Sequence, residues 1–257
     1  MQALAPEIRI VKDSEELTRA AAGELVRCAK ESVGRQGRFT VALAGGNTPI
    51  SLYEMLATQP TFRTLLPWGK SHFFWGDERH VPPDHVENHF RKAKEAMFSR
   101  VDVPLENIHR IPSENPDAGA AAAEYEAELR RFFATEPGKL PRFDLALLGM
   151  GPDGDIAGLF PGSDALSVTD RFVLATRDAK NGTEWITLTL PVLNNASTVV
   201  FLASGKEKAE TLREVLRRVE RPPKDAVRIP AELVRPVNGR LLWIVDQEAA
   251  GLLKPTR

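Results

Sequence analysis

Two aspartates, Asp153 and Asp155, stand in a glycine-rich loop that follows an apolar segment. The stretch 143–162 reads FDLALLGMGPDGDIAGLFPG. An apolar strand that runs into a glycine-rich turn is how open α/β sheets build ligand sites at the carboxyl ends of their strands. Carboxylates placed there can take up or release a proton. We therefore expect a site in this loop, and its chemistry depends mainly on Asp155.

A second loop has the residue types of a phosphate site. Gly45, Gly46, Asn47 and Thr48 lie between the apolar segment 39–44 and a helical pattern. Glycines let backbone N–H groups approach an anion, the N-terminus of a helix adds favourable partial charge, and Asn47 and Thr48 add side-chain donors. The spacing fits neither a P-loop nor the GxGxxG fingerprint. An ordinary tight strand-to-helix turn is the alternative interpretation.

A charged cluster, Asp77, Glu78 and Arg79, follows the predicted strand 71–75. Such a cluster can orient a cation for phosphate, hold sugar hydroxyls, or form ion pairs within itself. Arg79 can bind a phosphate through two parallel hydrogen bonds, which a lysine cannot do.

Lys208 lies one turn into a helical pattern that follows the apolar strand 198–203. A lysine there can reach a phosphate held by the first loop, or simply lie on an exposed helix face. Loops that follow parallel strands emerge at the same edge of the sheet, so we expect these side chains to converge.

The elements that must position these residues alternate between strand and helix patterns. Strands are predicted at 8–11, 39–44, 71–75, 107–111, 143–148, 172–176, 185–190, 198–203 and 241–245. Helices are predicted from Ser14, as N-cap, through 28, and at 50–57, 88–98, 117–133, 206–219 and 247–253. This alternation predicts an α/β fold with one doubly wound, mostly parallel sheet flanked by helices, in a single domain over 1–257.

Composition excludes several classes of protein. The 257 residues carry 34 basic and 35 acidic side chains, so nothing indicates bulk binding to nucleic acid or to an anionic membrane. The single cysteine, Cys28, cannot form an intramolecular disulfide, which favours a reducing compartment. No apolar run has the length of a membrane span, and the first residues lack a signal-peptide pattern. We expect a cytoplasmic protein, monomeric or weakly dimeric.

The motifs together resemble the 6-phosphogluconolactonase family, enzymes of the oxidative pentose phosphate pathway. The resemblance runs along nearly the whole chain. It is carried by GGNTP at 45–49, DERHVP at 77–82 with Asn88, FDL at 143–145, GMGPDG at 149–154, LFPG at 159–162, ITLTLPVLN at 186–194, GKEKA at 205–209 and LWIVD at 242–246.

This resemblance implies a Rossmann-like sheet and hydrolysis of 6-phospho-D-glucono-1,5-lactone to 6-phospho-D-gluconate by water attack on the lactone carbonyl. It implies no metal and no organic cofactor, and a sugar phosphate as the small-molecule partner. The residues around the phosphate would be Gly45, Gly46, Asn47, Thr48, Arg79 and Lys208. Asp77, Glu78 and Asp153 would shape the site, with Asp153 and Asp155 as its catalytic residues. Asp77, Glu78, Asn88 and Gly151, from the same motifs, join the substrate-binding set.

Two positions depart from the family pattern. The family usually has histidine, the presumed general base, where this chain has Asp155, and arginine where it has Trp185. An aspartate with its reference pKa of about 3.9 is a weaker base, and losing a general base costs about 10²–10⁴-fold in rate. Trp185 could stack on a sugar ring, although a tryptophan at the rim of the core is the commoner outcome.

Three of the histidines are candidates to replace the missing base. His80, His85 and His89 lie in or near the charged cluster and could face the same cleft, although surface or helix-capping roles are commoner. His72 and His109 fall in predicted strands and read as structural.

Two other functions remain open at this point. The chain could be a sugar-phosphate-binding homologue without full catalysis. It could also be an aldose–ketose isomerase or deaminase acting on an amino sugar phosphate, a class similar to this chain in its first loop. Arg79, the pair Val81-Pro82 and the segment 159–161 favour the lactonase.

Overall fold

The computed structural model describes residues 6–221 and 227–253. Its strands are β1 Glu7–Val11, β2 Phe39–Leu43, β3 Ser71–Trp75, β4 Asp77–Arg79, β5 Ile108–His109, β6 Leu145–Leu148, β7 Val173–Arg177, β8 Glu184–Leu188, β9 Thr198–Ala203 and β10 Arg240–Asp246. Its helices are α1 Ser14–Gln36, α2 Asn47–Thr58, α3 Pro60–Leu65, α4 His89–Ala96, α5 Ala118–Phe133, α6 Leu190–Asn194 and α7 Ala209–Glu220.

Seven strands form one parallel sheet in the order β1-β10-β9-β6-β2-β3-β5. The predicted α/β class with a mostly parallel sheet is therefore confirmed. From β2 the chain builds outward through β3 to β5, and then crosses to β6 on the other side of β2 and builds outward through β9 to β10. The strand order thus reverses between β2 and β6. In open α/β sheets this reversal opens a crevice at the carboxyl ends of the two strands.

Three antiparallel strands form a second sheet in the order β4-β8-β7, and its strand β4 directly follows β3 in the chain. This sheet was not predicted as a separate unit. The predicted strands at 172–176 and 185–190 belong to it. Its third strand, β4, is the charged segment Asp77–Arg79, in which Arg79 lies opposite Trp185. A three-residue polar strand has no apolar alternation, so the sequence pattern could not reveal it.

Several predicted boundaries are corrected by the structure. Asp13, and not Ser14, is the N-cap of α1, because its side chain accepts a hydrogen bond from the backbone N–H of Glu16. Helix α2 begins at Asn47, three residues before the predicted start at 50. The predicted closing helix at 247–253 is a run of turns, a segment too short to form a stable helix by itself.

The strands beside the reversal point are buried on both faces, with β2, β6 and β9 fully enclosed. Asp144, just before β6, is buried and joins that strand to β2: its Oδ2 accepts hydrogen bonds from the backbone N–H and the hydroxyl of Thr40, both at 2.9 Å. Gln36 and Arg35 at the end of α1 also donate to it. Within the described ranges, no helix is both long and apolar enough to cross a bilayer.

Candidate active site

A cavity of about 380 Å³ opens where the strand order reverses. The loops after β2, β6 and β9 meet there, together with β4, β8 and the first residues of α4. Nine of the predicted site residues line it: Gly45, Gly46, Asn47, Thr48, Asp77, Arg79, Gly151, Asp155 and Lys208. The convergence expected from a parallel sheet is therefore present in the structure.

Several groups that line the cavity favour an anion. Helix α2 begins at Asn47, directly after Gly46, whose φ of 95° lies in the left-handed region that favours glycine. The N-terminus of this 12-residue helix faces the cavity, with Arg79 and Lys208 among its lining residues. Lys92 of α4 lines it as well and was not predicted. Helix N-terminus and cations together can hold a phosphate.

Trp185 lines the cavity and is half-buried beneath Arg79. The Arg79 guanidinium carbon lies 4.7 Å from the centroid of the indole ring, within the range of a cation–π contact. Arg79 also forms an ion pair with Glu87 at 3.4 Å. Trp185, which stands where the family usually has an arginine, thus packs against Arg79 on the neighbouring strand.

Two residues predicted to bind substrate do not line the cavity. The buried Glu78 accepts backbone N–H hydrogen bonds from His89 at 2.7 Å and Phe90 at 2.9 Å, so it holds the first turn of α4. The buried Asn88 is the N-cap of α4, accepting from the N–H of Arg91. Both predictions are corrected: these side chains satisfy the orphan N–H groups at a helix start.

Asp155 presents a half-buried carboxyl group to the cavity. It packs against Gly151, where a Cβ would stand 1.7 Å from the Oδ1 of Asp155. Its other close neighbour is Asp153, whose carboxyl group is in hydrogen-bond contact with it. Burial, reinforced by Asp153, raises the pKa of Asp155 to about 7. A carboxyl group in this environment can exchange a proton near neutral pH.

Asp153 lies outside the cavity lining, in contrast to the prediction that it acts with Asp155 on the substrate. Its hydrogen bond with Asp155 lowers its pKa to about 2, helped by an ion pair with Lys180 in the turn between β7 and β8. Asp153 is therefore the ionised partner of the pair, and Asp155 is the partner that holds the proton.

Of the three histidines weighed as replacement bases, His89 alone lines the cavity. His80 lies between Asn115 and Glu184, with its Nε2 2.7 Å from the Asn115 carbonyl oxygen. His85 is exposed, and its Nδ1 accepts from the N–H of Glu87. His72 and His109 lie in the sheet as expected, 3.2 Å apart between Nδ1 and Nε2.

Sequence reasoning missed Lys92, Ser204 and Lys180, and it left His89 among three equal candidates. His89 and Lys92 are three residues apart, so they share one face of α4, a signal that becomes visible only when the helix is known to begin at His89. Within residues 6–221 and 227–253, no group of three or more His, Cys, Asp or Glu side chains is arranged to hold a metal ion.

Comparison with known proteins gives a consistent result. A family model described as glucosamine-6-phosphate isomerases/6-phosphogluconolactonase matches residues 12–243. A 6-phosphogluconolactonase from a Synechocystis species is 40% identical over 252 residues, covering 98% of this chain and 100% of that protein. One from a Nostoc species is 43% identical over 222 residues, covering 86% and 88%. The crystal structure of 6-phosphogluconolactonase from Thermotoga maritima superposes with a TM-score of 0.77 at 33% identity, covering 94% and 99%.

Proposed function

Because this chain belongs to the glucosamine-6-phosphate isomerase/6-phosphogluconolactonase family, we propose that it hydrolyses 6-phospho-D-glucono-1,5-lactone with Asp155 as the general base. The product is 6-phospho-D-gluconate, and the reaction belongs to the oxidative pentose phosphate pathway. The observation that carries the proposal is the position of Asp155. Its half-buried carboxyl group faces the same cavity as the N-terminus of α2, Arg79 and Lys208.

The reaction needs a group that takes a proton from water as the water oxygen attacks the lactone carbonyl carbon. The bond between that carbon and the ring oxygen then breaks, and the ring oxygen gains a proton to become a hydroxyl. A general base works best when its pKa lies near the working pH, and the pKa of Asp155 is raised to about 7 by burial and by Asp153. An aspartate in this environment can therefore do the work of the family's usual histidine.

In this proposal the phosphate of the substrate is held by cavity residues other than Asp155. The loop from Gly45 to Thr48 offers backbone N–H groups at the start of α2, Arg79 offers a planar guanidinium, and Lys208 a point charge. Asp77, Trp185 and Gly151 complete the walls near the sugar. Binding energy from the phosphate positions the lactone carbonyl relative to Asp155, which is how a remote contact contributes to rate.

A steady-state lactonase assay of three variants tests the proposal. We expect the wild-type chain to accelerate lactone hydrolysis above the spontaneous rate, with kcat/KM decreasing as the pH falls below about 7, because Asp155 then holds its proton. Asp155→Asn should lower kcat about 10²–10⁴-fold. Asp155→His should retain much more activity than Asp155→Asn, since imidazole is a base near neutral pH.

Asp102→Asn is the matched control, because Asp102 is exposed and outside the cavity lining. It should leave kcat and KM unchanged. Wild-type kcat in Asp155→Asn would contradict the role of Asp155. Ammonia release from glucosamine 6-phosphate, without lactone hydrolysis, would instead identify the isomerase or deaminase chemistry of the wider family.

A further inference from the structure

We propose that His89 is a further substrate-binding residue, whose Nε2 contacts the phosphate of the sugar phosphate while Asp77 holds Nδ1. The inference rests on the proposed function, because its ligand is the phosphate of that substrate. Neither the motifs of the sequence nor the set of residues predicted around the phosphate contains His89.

The position of His89 is fixed from several sides. The residue is the first of α4, its backbone N–H donates to the buried Glu78, and Asn88 caps the helix. Its ring is almost fully buried and packs directly on Gly45, where a Cβ would stand 2.1–2.3 Å from the ring atoms. A polar side chain whose position is fixed by this many contacts is typical of a residue that must present a particular atom to a ligand.

Asp77 determines which ring nitrogen faces the ligand. The Nδ1 of His89 lies 3.3 Å from the Asp77 carboxylate oxygen Oδ2 and 3.2 Å from the Asp77 carbonyl oxygen. Both atoms are acceptors, so Nδ1 carries a hydrogen. Nε2 has no hydrogen-bond partner among the described residues, and the ring lines the cavity. It is therefore the atom available to a ligand, while the buried Asp77 holds the other nitrogen.

The surroundings of the ring indicate a phosphate and not the reacting carbonyl. His89 packs on the loop at the N-terminus of α2, and its ring centroid lies 5.7 Å from that of Trp185, the residue that supports Arg79. Lys92 lies on the same face of α4. The charged and titratable groups around the ring are Asp77 and Glu78 of β4, Arg79, Lys92 and, across the cavity, Asp155 and Lys208.

A dianionic phosphate changes the charge balance of this group of side chains. With it, an imidazolium between the phosphate and Asp77 has an acceptor at each nitrogen. The proton comes from solvent when the dianion binds, or from a phosphate monoanion that becomes the dianion as it binds, since its second ionisation lies at a pKa of about 6. Binding is therefore linked to protonation of His89.

Calorimetric binding of two product-like ligands to the whole chain tests the inference without any turnover. We expect 6-phosphogluconate to bind wild type, and more weakly as the pH rises from about 6 to about 8.5. His89→Gln should weaken this binding about 10–100-fold, the effect of losing a hydrogen bond to a charged group, and should reduce its pH dependence. Gluconate, which has no phosphate, should bind wild type and His89→Gln equally weakly.

His85→Gln is the matched control, because His85 is exposed and outside the cavity lining, and it should bind 6-phosphogluconate as wild type does. Equal binding by His89→Gln and wild type would overturn the role of His89 and leave the lactonase proposal intact. Failure of wild type to bind 6-phosphogluconate at all would overturn both.

In the lactonase assay, His89→Gln should raise KM with little change in kcat, whereas a large fall in kcat at unchanged KM would identify a base and overturn the phosphate contact.

Because His89→Gln could fail to fold, a measurement on the unaltered chain accompanies it. The chain has 5 histidines, which makes imidazole ¹⁵N spectra tractable. At about pH 7.5, saturation with 6-phosphogluconate should convert the Nε2 of one histidine from the unprotonated to the protonated nitrogen shift. Gluconate at the same concentration should not. Unchanged imidazole nitrogens at saturation with 6-phosphogluconate would overturn the inference.

Discussion

At the scale of single residues, the environment of Asp155 compensates for its chemical type. An exposed aspartate is a poor base at neutral pH, but Asp155 is half-buried and lies against the ionised Asp153, which together raise its pKa to about 7. The space that its carboxyl group occupies exists because residue 151 is glycine. The departure from the family pattern therefore keeps a group that titrates near neutral pH at the position of the proposed base.

This dependence on Gly151 predicts the effect of a methyl group at that position. In Gly151→Ala the Cβ would stand 1.7 Å from the Oδ1 of Asp155, so the carboxyl group must move. We expect kcat for lactone hydrolysis to fall at least about 10²-fold, since small displacements of a catalytic group have effects of this size. Gly69→Ala is the control, because a Cβ there meets nothing within 4 Å. Unchanged kcat in Gly151→Ala would show that the position of Asp155 is not critical.

At the scale of elements, the site depends on how β6 is joined to β2. The loops after these two strands carry Asp155 and the residues Gly45 to Thr48, so the relative position of the strands sets the geometry of the cavity. Asp144 makes this connection at the opposite end of the strands, through Thr40 of β2 and through Gln36 and Arg35 of α1. Breaking a buried, hydrogen-bonded charge by removing one partner is strongly destabilising.

We expect Asp144→Ala to lower the free energy of unfolding by about 3–5 kcal/mol, because it leaves the buried backbone N–H and hydroxyl of Thr40 without their acceptor. Urea denaturation followed by circular dichroism measures this. Asp102→Ala, at an exposed position, should change stability by less than about 0.5 kcal/mol. A stability equal to wild type would contradict the proposed connection.

The same elements show what could be predicted from the sequence. Strands with continuous apolar runs, such as β2, β6 and β9, end in glycine-rich loops. The sequence therefore predicted these strands and the edge of the sheet at which the cavity lies. Strand β4 was missed because three charged residues carry no apolar alternation. Glu78, the middle residue of this strand, was assigned to the substrate site. A sequence does not tell whether such a carboxylate faces a cavity or accepts from the N–H groups of a helix start.

Other features of the site follow from contacts between distant parts of the chain. His89 differs from His80 and His85 in its contact with Gly45, which is far from it in sequence. The pKa of Asp155 depends likewise on burial and on the orientation of Asp153. Both depend on packing that residue types and spacing do not specify.

At the scale of the whole molecule, two kinds of carboxyl group have shifted pKa values with opposite effects on stability. Some surface carboxylates paired with arginine have lowered pKa values, as when Arg217 and Arg218 lower the pKa of Glu214 to about 2. They favour the folded state above the pKa of the unfolded chain, and this contribution is lost in acid. Burial raises the pKa of Asp77, Glu78 and Asp155 around the cavity, so that ionising these groups opposes folding. A site that needs buried carboxyl groups thus reduces the stability of the chain that contains it.

Replacing Asp155 by asparagine should therefore stabilise the protein in a pH-dependent way. The unfolded aspartate ionises at about pH 3.9, whereas the folded one keeps its proton up to about 7, so the destabilisation grows between these values and is constant above them. The full change corresponds to ~4 kcal/mol, which solvent at the half-buried side chain reduces to about 2 kcal/mol. Urea denaturation should show Asp155→Asn gaining about 2 kcal/mol over wild type at pH 8 and almost nothing at pH 4, while Asp102→Asn gains nothing at either. A gain that is equal at both pH values would mean that ionisation of Asp155 is not its cause.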